Sequence, residues 1–508
     1  MTDKAIRVPH VPVIVVGAGP TGITAATLLA QYGVGCVVLD RWPGVYPQPR
    51  AVHLDDEIFR IIARLGIAEE FAAISRPTLG LRLLDNRRMV LAEFTRDPAR
   101  SVHGFPQANM FDQPELEALL RMNLKRCPGV ELRADAEVTQ LADVTDQGRR
   151  VRVTFTDRSD GTAHQIDADY VLGCDGANSI VRTQIGSTMR DLNFEQRWLV
   201  VDVATDADLQ QWDGVHQVCD PARAGTYMRI GPDRHRWEFA LRAGESADDF
   251  GTVAALRPLI APWTATVADG ELRLLRVAEY TFRAQIADQW RGGNVFILGD
   301  AAHLTPPFIG QGMGAGLRDA MNLAWKIAGV RDGTLAANAL DTYEQERKPH
   351  ARAMIRLALN IGWSMSGGGR LGNAGRRIVL PRLRLIPGLR DKVVDSTTPA
   401  LRRSALVCRS RRAGRLAGTL CPNPRLANDQ RLDDVLDTGF ALITTSAVSD
   451  ADKARLAQRG VEVVIAERGS DLAEWLLRGR ATTAYVRPDR TVMRAGRPAD
   501  PYAWARSA

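Results

Sequence analysis

The sequence predicts an α/β protein of two or three domains, and three observations carry that prediction. The chain has 508 residues, 45% hydrophobic and 25% charged, the balance of a folded protein with a sizeable core. A β-branched run, Val11 to Val16, meets a glycine turn and then a helix of small residues that ends at Gly33. Near residue 300 a second apolar run, Asn294 to Leu298, meets another glycine-rich turn ahead of another helix.

The first turn reads Gly17-Ala-Gly19-Pro-Thr-Gly22, and a second apolar strand, Cys36 to Leu39, ends at Asp40, eighteen residues beyond Gly22. This is the dinucleotide fingerprint of a Rossmann-like unit. The first glycine makes the turn, the second admits a pyrophosphate, the third packs helix on strand, and the acid holds a ribose hydroxyl. Without its context GxGxxG fits any tight turn; the flanking strands and the spaced acid point to a dinucleotide, with NAD and FAD both open.

The second turn, within Gly299 to Ala320, places Asp300 at a strand's carboxyl end, where a carboxylate can accept hydrogen bonds from a polyol chain. Gly310, Gly312, Gly314 and Gly316 allow close approach of a planar ring. The following helix carries Leu317, Met321, Ala324 and Ala328 on one face and points its positive end at whatever the loop holds. One fingerprint plus a second seat nearly three hundred residues away suits a long cofactor, FAD, better than a nicotinamide dinucleotide. A third strand and turn, Tyr170 to Arg182, sets Asp175 at the strand end with Asn178 or Ser179 as helix cap. By itself it fits a plain capped turn equally well.

The three motifs in this order, GAGPTG, CDGANSIVR and GDAAHLTPPFIGQG, resemble the class A flavoprotein monooxygenases, the aromatic hydroxylases related to para-hydroxybenzoate hydroxylase and phenol hydroxylase. The resemblance covers about the first 360 residues. Segments 49–66, 105–120, 200–206 and 341–355 resemble the 3-(3-hydroxyphenyl)propionate hydroxylase branch. It implies an FAD-binding domain of glutathione reductase type over 1–189 and 277–365, and a substrate domain inserted at 190–276. On its residues, Gly17, Gly19 and Gly22 would bind the FAD pyrophosphate, Asp40 the adenosine ribose, and Arg41 and Arg50 would lie along the ADP part. Gln113 would contact the cofactor, Gly299 and Asp300 the ribityl chain, and Pro306 with Gly310, Gly312 and Met313 the isoalloxazine ring. Asp175 would serve FAD and NAD(P)H handling. The implied reaction is FAD reduction by NADH or NADPH, oxygen addition at the flavin C4a position, and transfer of one oxygen atom to a phenolic ring.

Such chemistry needs no nucleophilic side chain, which accounts for the lack of a Ser/His/Asp or Cys/His arrangement. A base for the phenol would help; His53, His103 and His303 lie in or beside the motifs, and Tyr227 and Arg229 lie in the middle domain, yet packing roles suit them as well. The middle domain alternates strand-like runs, Trp198 to Val203, Gly225 to Ile230 and Arg236 to Arg242, which predicts an antiparallel sheet over the flavin.

Residues 366–415 form a basic connector. From Arg370 to Arg415 there are thirteen Lys/Arg against two Asp, without the interleaved aromatics of a nucleic-acid binder. From 416 to 508 strands and helices alternate again and resemble the thioredoxin-like tail of phenol hydroxylase relatives, without CxxC, so packing or homodimer contact is the expected role. The six cysteines lie far apart and suggest free thiols and no metal site. No apolar stretch near the start predicts a signal or membrane span, so a cytoplasmic protein is expected. Three alternatives stay open: a tailoring hydroxylase for a polyketide or other polycyclic aromatic, a non-oxygenating flavoprotein, and an NAD-dependent dehydrogenase.

Overall fold

The computed structural model describes residues 8–46, 51–97, 101–144, 150–366, 398–409 and 415–497. Arg50 and most of the basic connector lie outside the described residues.

Five strands pair in parallel at the centre of the first sheet. The order is Val295–Ile297, Ala163–Gly173, His10–Val16, Cys36–Leu39 and Val130–Arg133. Two antiparallel strands, Ala136–Val144 and Arg150–Asp157, extend it through Ala163–Gly173. All three motif turns therefore open at the same edge, at the carboxyl ends of neighbouring parallel strands, where α/β folds bind their ligands. The helix Gly312–Arg331 is buried on all sides rather than along one apolar face: Arg318, Asp319, Asn322 and Lys326 are each 5% exposed or less. It packs against the first helix, Pro20–Gln31, at a junction of small groups. A Cβ on Gly316 would lie 2.2 Å from the Thr21 hydroxyl, and one on Gly299 2.8 Å from it.

The second sheet has eight strands. Two long ones, Met189–Ala204 and Arg273–Ala287, run from the first unit into it side by side. Its boundaries differ from the expected 190–276. The hairpin Gly80–Leu84 with Val90–Thr95 joins by parallel pairing to Val215–Val218, and His303–Leu304 adds an edge. A strand recruited across more than a hundred residues leaves no local pattern, so the sequence assigned that hairpin to the first domain. Strand alternation gives the sheet two faces. Tyr227, Trp237, Val201 and Val277 align across four strands on one face, which packs on the helix Val253–Thr264 through Leu256, Ile260 and Trp263. Thr226, Glu238, Val200 and Ala278 form the adjacent row on the other face.

That second face also buries an ion pair, Arg236 Nε and Nη2 to the Asp202 carboxylate at 2.6 and 2.9 Å, with both residues fully buried. Removing one partner of such a pair strands the other charge. Arg236→Met is expected to lower the unfolding free energy by about 3–5 kcal/mol, and Arg236→Met with Asp202→Leu to recover most of that loss. Urea unfolding of the two variants beside wild type checks both outcomes.

The carboxyl-terminal unit holds a four-stranded sheet in the order Val461–Ile465, Phe440–Thr444, Thr483–Val486, Val492–Gly496. The first two strands are parallel and the others antiparallel. Buried charge pairs dock it on the first unit: Arg60 to Asp433 at 2.6 and 2.8 Å, and Arg487 Nη1 to Glu346 at 2.9 Å. Among the described residues no helix is long and apolar enough to cross a membrane, and no three His, Cys, Asp or Glu are grouped to hold a metal.

Candidate active site

The glycine turns provide the first test of a dinucleotide. Gly17 has φ +99°, and a Cβ there would meet the Cys174 carbonyl at 2.5 Å; one on Gly22 would sit 1.9 Å from the Gly17 carbonyl. Those two glycines are demanded by the protein's own packing. Gly19 is different, because a Cβ there would meet nothing within 4 Å. It precedes Pro20 at the start of a twelve-residue helix that has no side-chain cap. Open space before uncapped N–H groups fits a pyrophosphate. Asp40 ends the second strand as expected, but its Oδ2 accepts from Arg121 Nη2 at 2.7 Å, and Arg121 also reaches the Ala18 carbonyl at 3.2 Å. Arg121 thus braces the fingerprint turn. The sequence reading missed it because no motif carries it; its place on the helix Gln113–Leu124 shows only in three dimensions. Arg41 is exposed and lies over the Trp42 ring.

The second seat divides in the same way. Gly312 opens the long helix with nothing within 4 Å of a Cβ and no side-chain cap, so it too leaves room for a ring. Gly314 and Gly316 instead face Ile58 and Thr21, which corrects the expectation that all four glycines serve a ring. Gly310 adopts φ +61° above His53, whose Nδ1 would lie 2.9 Å from a Cβ. Asp300 is half-buried in a short turn, Pro306 is buried, and Met313 packs partly into the main core.

Two adjacent residues of the long helix hold this loop. Arg318 donates to Glu57 at 2.6 and 2.9 Å, to Asp55 at 3.1 Å and to Gln311 at 2.7 Å. Gln311 in turn donates to Asp55 at 2.7 Å. On the other side Asp319 accepts from the Gly299 N–H at 3.0 Å, His303 Nε2 at 2.8 Å and Arg347 Nε at 2.8 Å. Burial pushes the Asp319 carboxyl up, yet His303 and Arg347 hold it below its ordinary range. Asp175 accepts from the Ser179 hydroxyl at 2.6 Å and the Val181 N–H at 3.1 Å, and burial raises its carboxyl. Arg182 then ties that turn to the Ala301 carbonyl at 3.0 Å. Gln113 bridges the Ala51 N–H and Glu117 at 2.7 and 2.6 Å.

The candidate bases do not converge. His303 is buried, bonded to Asp319 and packed near Trp290. His103 lies beside Arg60 at the carboxyl-terminal unit, and burial lowers it to about 4. Burial and Arg96 lower His53 to about 4 as well, so it is neutral beneath Gly310 at neutral pH. Tyr227 is 2% exposed, bonded to His235 at 3.0 Å, and sits on the sheet face turned away from the flavin loop. Arg229 shares that face and donates to the Gly231 and Pro232 carbonyls of its own turn. Both belong to the strand packing that competed with a substrate role.

The opposite face meets the flavin loop. Trp198 contacts Phe308 edge-on at 6.1 Å, Phe308 packs against Leu83 and Cys219, and Met228 clusters with Val52 and Met110. The same sheet face carries Thr226, Glu238 and Val200, with the Thr226 hydroxyl donating to Gln217 at 2.9 Å. Glu238 is half-buried; burial raises its carboxyl, while Arg236 and Arg276 nearby oppose the shift.

Residues 10–358 match the family model described as FAD binding domain. The chain is 34% identical to a 3-(3-hydroxy-phenyl)propionate/3-hydroxycinnamic acid hydroxylase of Burkholderia cenocepacia (strain HI2424), over 96% of this chain and 94% of that one. It is 39% identical to a probable NADH-specific resorcinol 4-hydroxylase of Rhodococcus jostii (strain RHA1), over 69% and 65%. Among solved structures, aklavinone-11 hydroxylase with FAD and aklavinone aligns with TM-score 0.80 at 23% identity, covering 99% of this chain and 98% of that one. An anhydrotetracycline hydroxylase from Streptomyces rimosus aligns with TM-score 0.76 at 24% identity, covering 98% of each. The chain belongs to the FAD-dependent aromatic hydroxylases, a family of flavoprotein monooxygenases.

Two variants separate cofactor binding from folding. Gly19→Ala is expected to leave the apoprotein's urea midpoint near wild type while weakening FAD binding at least about tenfold, a loss of roughly 1.4 kcal/mol. Gly17→Ala is expected to destabilise the apoprotein itself, because the φ and the Cys174 contact both forbid a side chain. FAD titration by fluorescence quenching, beside urea unfolding, checks the pair.

The acidic cluster under the loop carries a pH dependence. Asp56 is 1% exposed and accepts from Ser101 at 2.6 Å; burial, with Asp55 and Glu57 adding to it, raises its carboxyl to about 7. The folded state therefore binds the proton more tightly than the unfolded chain, and stability falls as pH rises from about 4 to about 7. Asp56→Asn is expected to remove that loss, raising stability by on the order of 3 kcal/mol at pH 8 and changing little below pH 4. Urea midpoints at pH 4, 6 and 8 decide it.

Proposed function

We propose that the enzyme hydroxylates a phenolic ring held between the flavin loop and the Thr226, Glu238 and Val200 row, using NADH or NADPH. What supports this is that the row shares its sheet face with Trp198, which contacts Phe308 of the glycine-rich loop, and with Met228, which clusters with Val52 and Met110. Bound FAD supplies the activated oxygen. Gly19, Asp40 and Arg121 would hold the adenosine and pyrophosphate half, Asp300 the ribityl chain, and the Gly312 helix start the ring. The apolar flanks exclude water. Glu238 takes the substrate hydroxyl, drawing its proton as the ring becomes more nucleophilic.

A phenol or resorcinol bearing a propionate-type side chain is the first substrate class, supported by the relative that aligns along almost the whole chain. A polycyclic tailoring substrate is the second, supported by the names of the aligned solved structures. We read the carboxyl-terminal unit as thioredoxin-like in strand order and non-redox in role, since Cys421 is its one cysteine. Asp175 and Gln113 act by positioning backbone around the cofactor.

Oxidation of NADH and NADPH is measured with a panel of phenols, phenolic acids and polycyclic phenols, with the product identified by mass. Substrate-stimulated oxidation and a product heavier by one oxygen atom are expected; no stimulation by any member overturns the reading. With the best substrate, Glu238→Gln is expected to lower kcat/KM about 100-fold. It should also remove the limb on which wild-type activity falls at acid pH, because only the ionised carboxylate accepts the proton.

A further inference from the structure

A second cleft lies away from the flavin seat, between the helix Asp56–Arg64, one flank of the helix Gly312–Arg331 and the carboxyl-terminal unit. Its cavity volume is about 70 Å³, and it opens to solvent at its mouth. Ile61, Met321, Pro399, Leu401 and Leu420 give it an apolar lining.

Its carboxylates already have partners. Glu57 accepts from Arg318 at 2.6 and 2.9 Å and from the Thr398 hydroxyl at 3.1 Å. Asp433 accepts from Arg60 at 2.6 and 2.8 Å and from Arg490 Nε at 2.8 Å. Asp489 accepts from Arg487 Nε at 3.0 Å. The groups left over are donors. Arg490 is 3% exposed, yet its Nη1 has no partner. From the other wall Arg64 brings Nε and Nη2, both buried and both without a partner, while its guanidinium lies 5.9 Å from the centre of the Tyr32 ring.

Each buried donor without an acceptor costs about 1–3 kcal/mol. Three such N–H-bearing nitrogens belong to two arginines, from two units of the chain, that line one cleft in which every carboxylate is paired. Arginine forks of this kind match carboxylate and phosphate oxygens. We propose that the cleft binds a small organic anion, a carboxylate or phosphate group on an apolar body, with the anionic group on Arg64 and Arg490 and the body against Ile61 and Met321. The site exists only when the carboxyl-terminal unit is docked, which gives that unit a binding role. It is independent of the identity of the aromatic substrate.

Hexanoate and phenyl phosphate serve as probes by titration calorimetry against the FAD-loaded enzyme, with inorganic phosphate as the head group alone. At least one organic probe is expected to bind with a Kd below about 1 mM, and inorganic phosphate at least tenfold more weakly. Arg490→Gln is expected to weaken binding at least tenfold. Since Arg490 also braces Asp433, Arg64→Gln and Met321→Trp test the same cleft without touching that pair, and each is expected to weaken binding by the same factor. Absence of binding by both organic probes overturns the proposal, as does binding that Arg64→Gln and Met321→Trp leave unchanged.

Discussion

The flavin seat depends on two neighbouring residues of one buried helix. Arg318 neutralises Asp55 and Glu57 and orients Gln311, so the glycine-rich end of the loop is fixed to the strand His53–Asp55. Asp319, turned to the other side, holds the Gly299 N–H, His303 and Arg347, so the beginning of the loop is fixed to the same helix. Burying these ions is tolerable because nearly every donor and acceptor among them is paired. A glycine loop with four glycines in seven residues would otherwise sample many conformations; here its two ends are pinned by one rigid element.

The same logic sorts the glycines into two kinds. Gly17, Gly22, Gly314 and Gly316 are small because protein atoms occupy the space a side chain would need. Gly19 and Gly312 are small while that space is empty, and both precede or open a helix without a side-chain cap. Close packing places the helices; the two open positions leave their amino ends available to a cofactor. Arg182 and Arg121 complete the frame by tying the third motif and the second strand to it.

Strand parity gives the second sheet two different faces. A face of Tyr227 and Trp237 buries aromatic area against Trp263 of the helix behind it, and a face one residue out of phase carries Trp198, which contacts Phe308 of the loop. Tyr and Arg side chains attract attention in a strand, but Tyr227 and Arg229 lie on the face that packs on the helix, whereas Glu238 lies on the other. Docking of the carboxyl-terminal unit follows the chemistry of the flavin seat: Arg60, Lys326 and Glu346 of the flavin unit are buried and find partners in it or beside it.

The motif turns, their order, the parallel strands around them and the dinucleotide were legible in the sequence because each is local. Glycine spacing, an acid at a strand end and apolar runs act within some twenty residues. The family was legible too, through three such motifs in one order. What only the tertiary structure decided is which groups meet across hundreds of residues: Arg318 with Asp55 and Glu57, Arg121 with Asp40, the hairpin 80–95 with Val215–Val218, and the sheet face that Glu238 shares. The physical reason is that burial pairs charges and strands by where the packed chain brings them together, and a linear pattern records the need for a partner without recording its address.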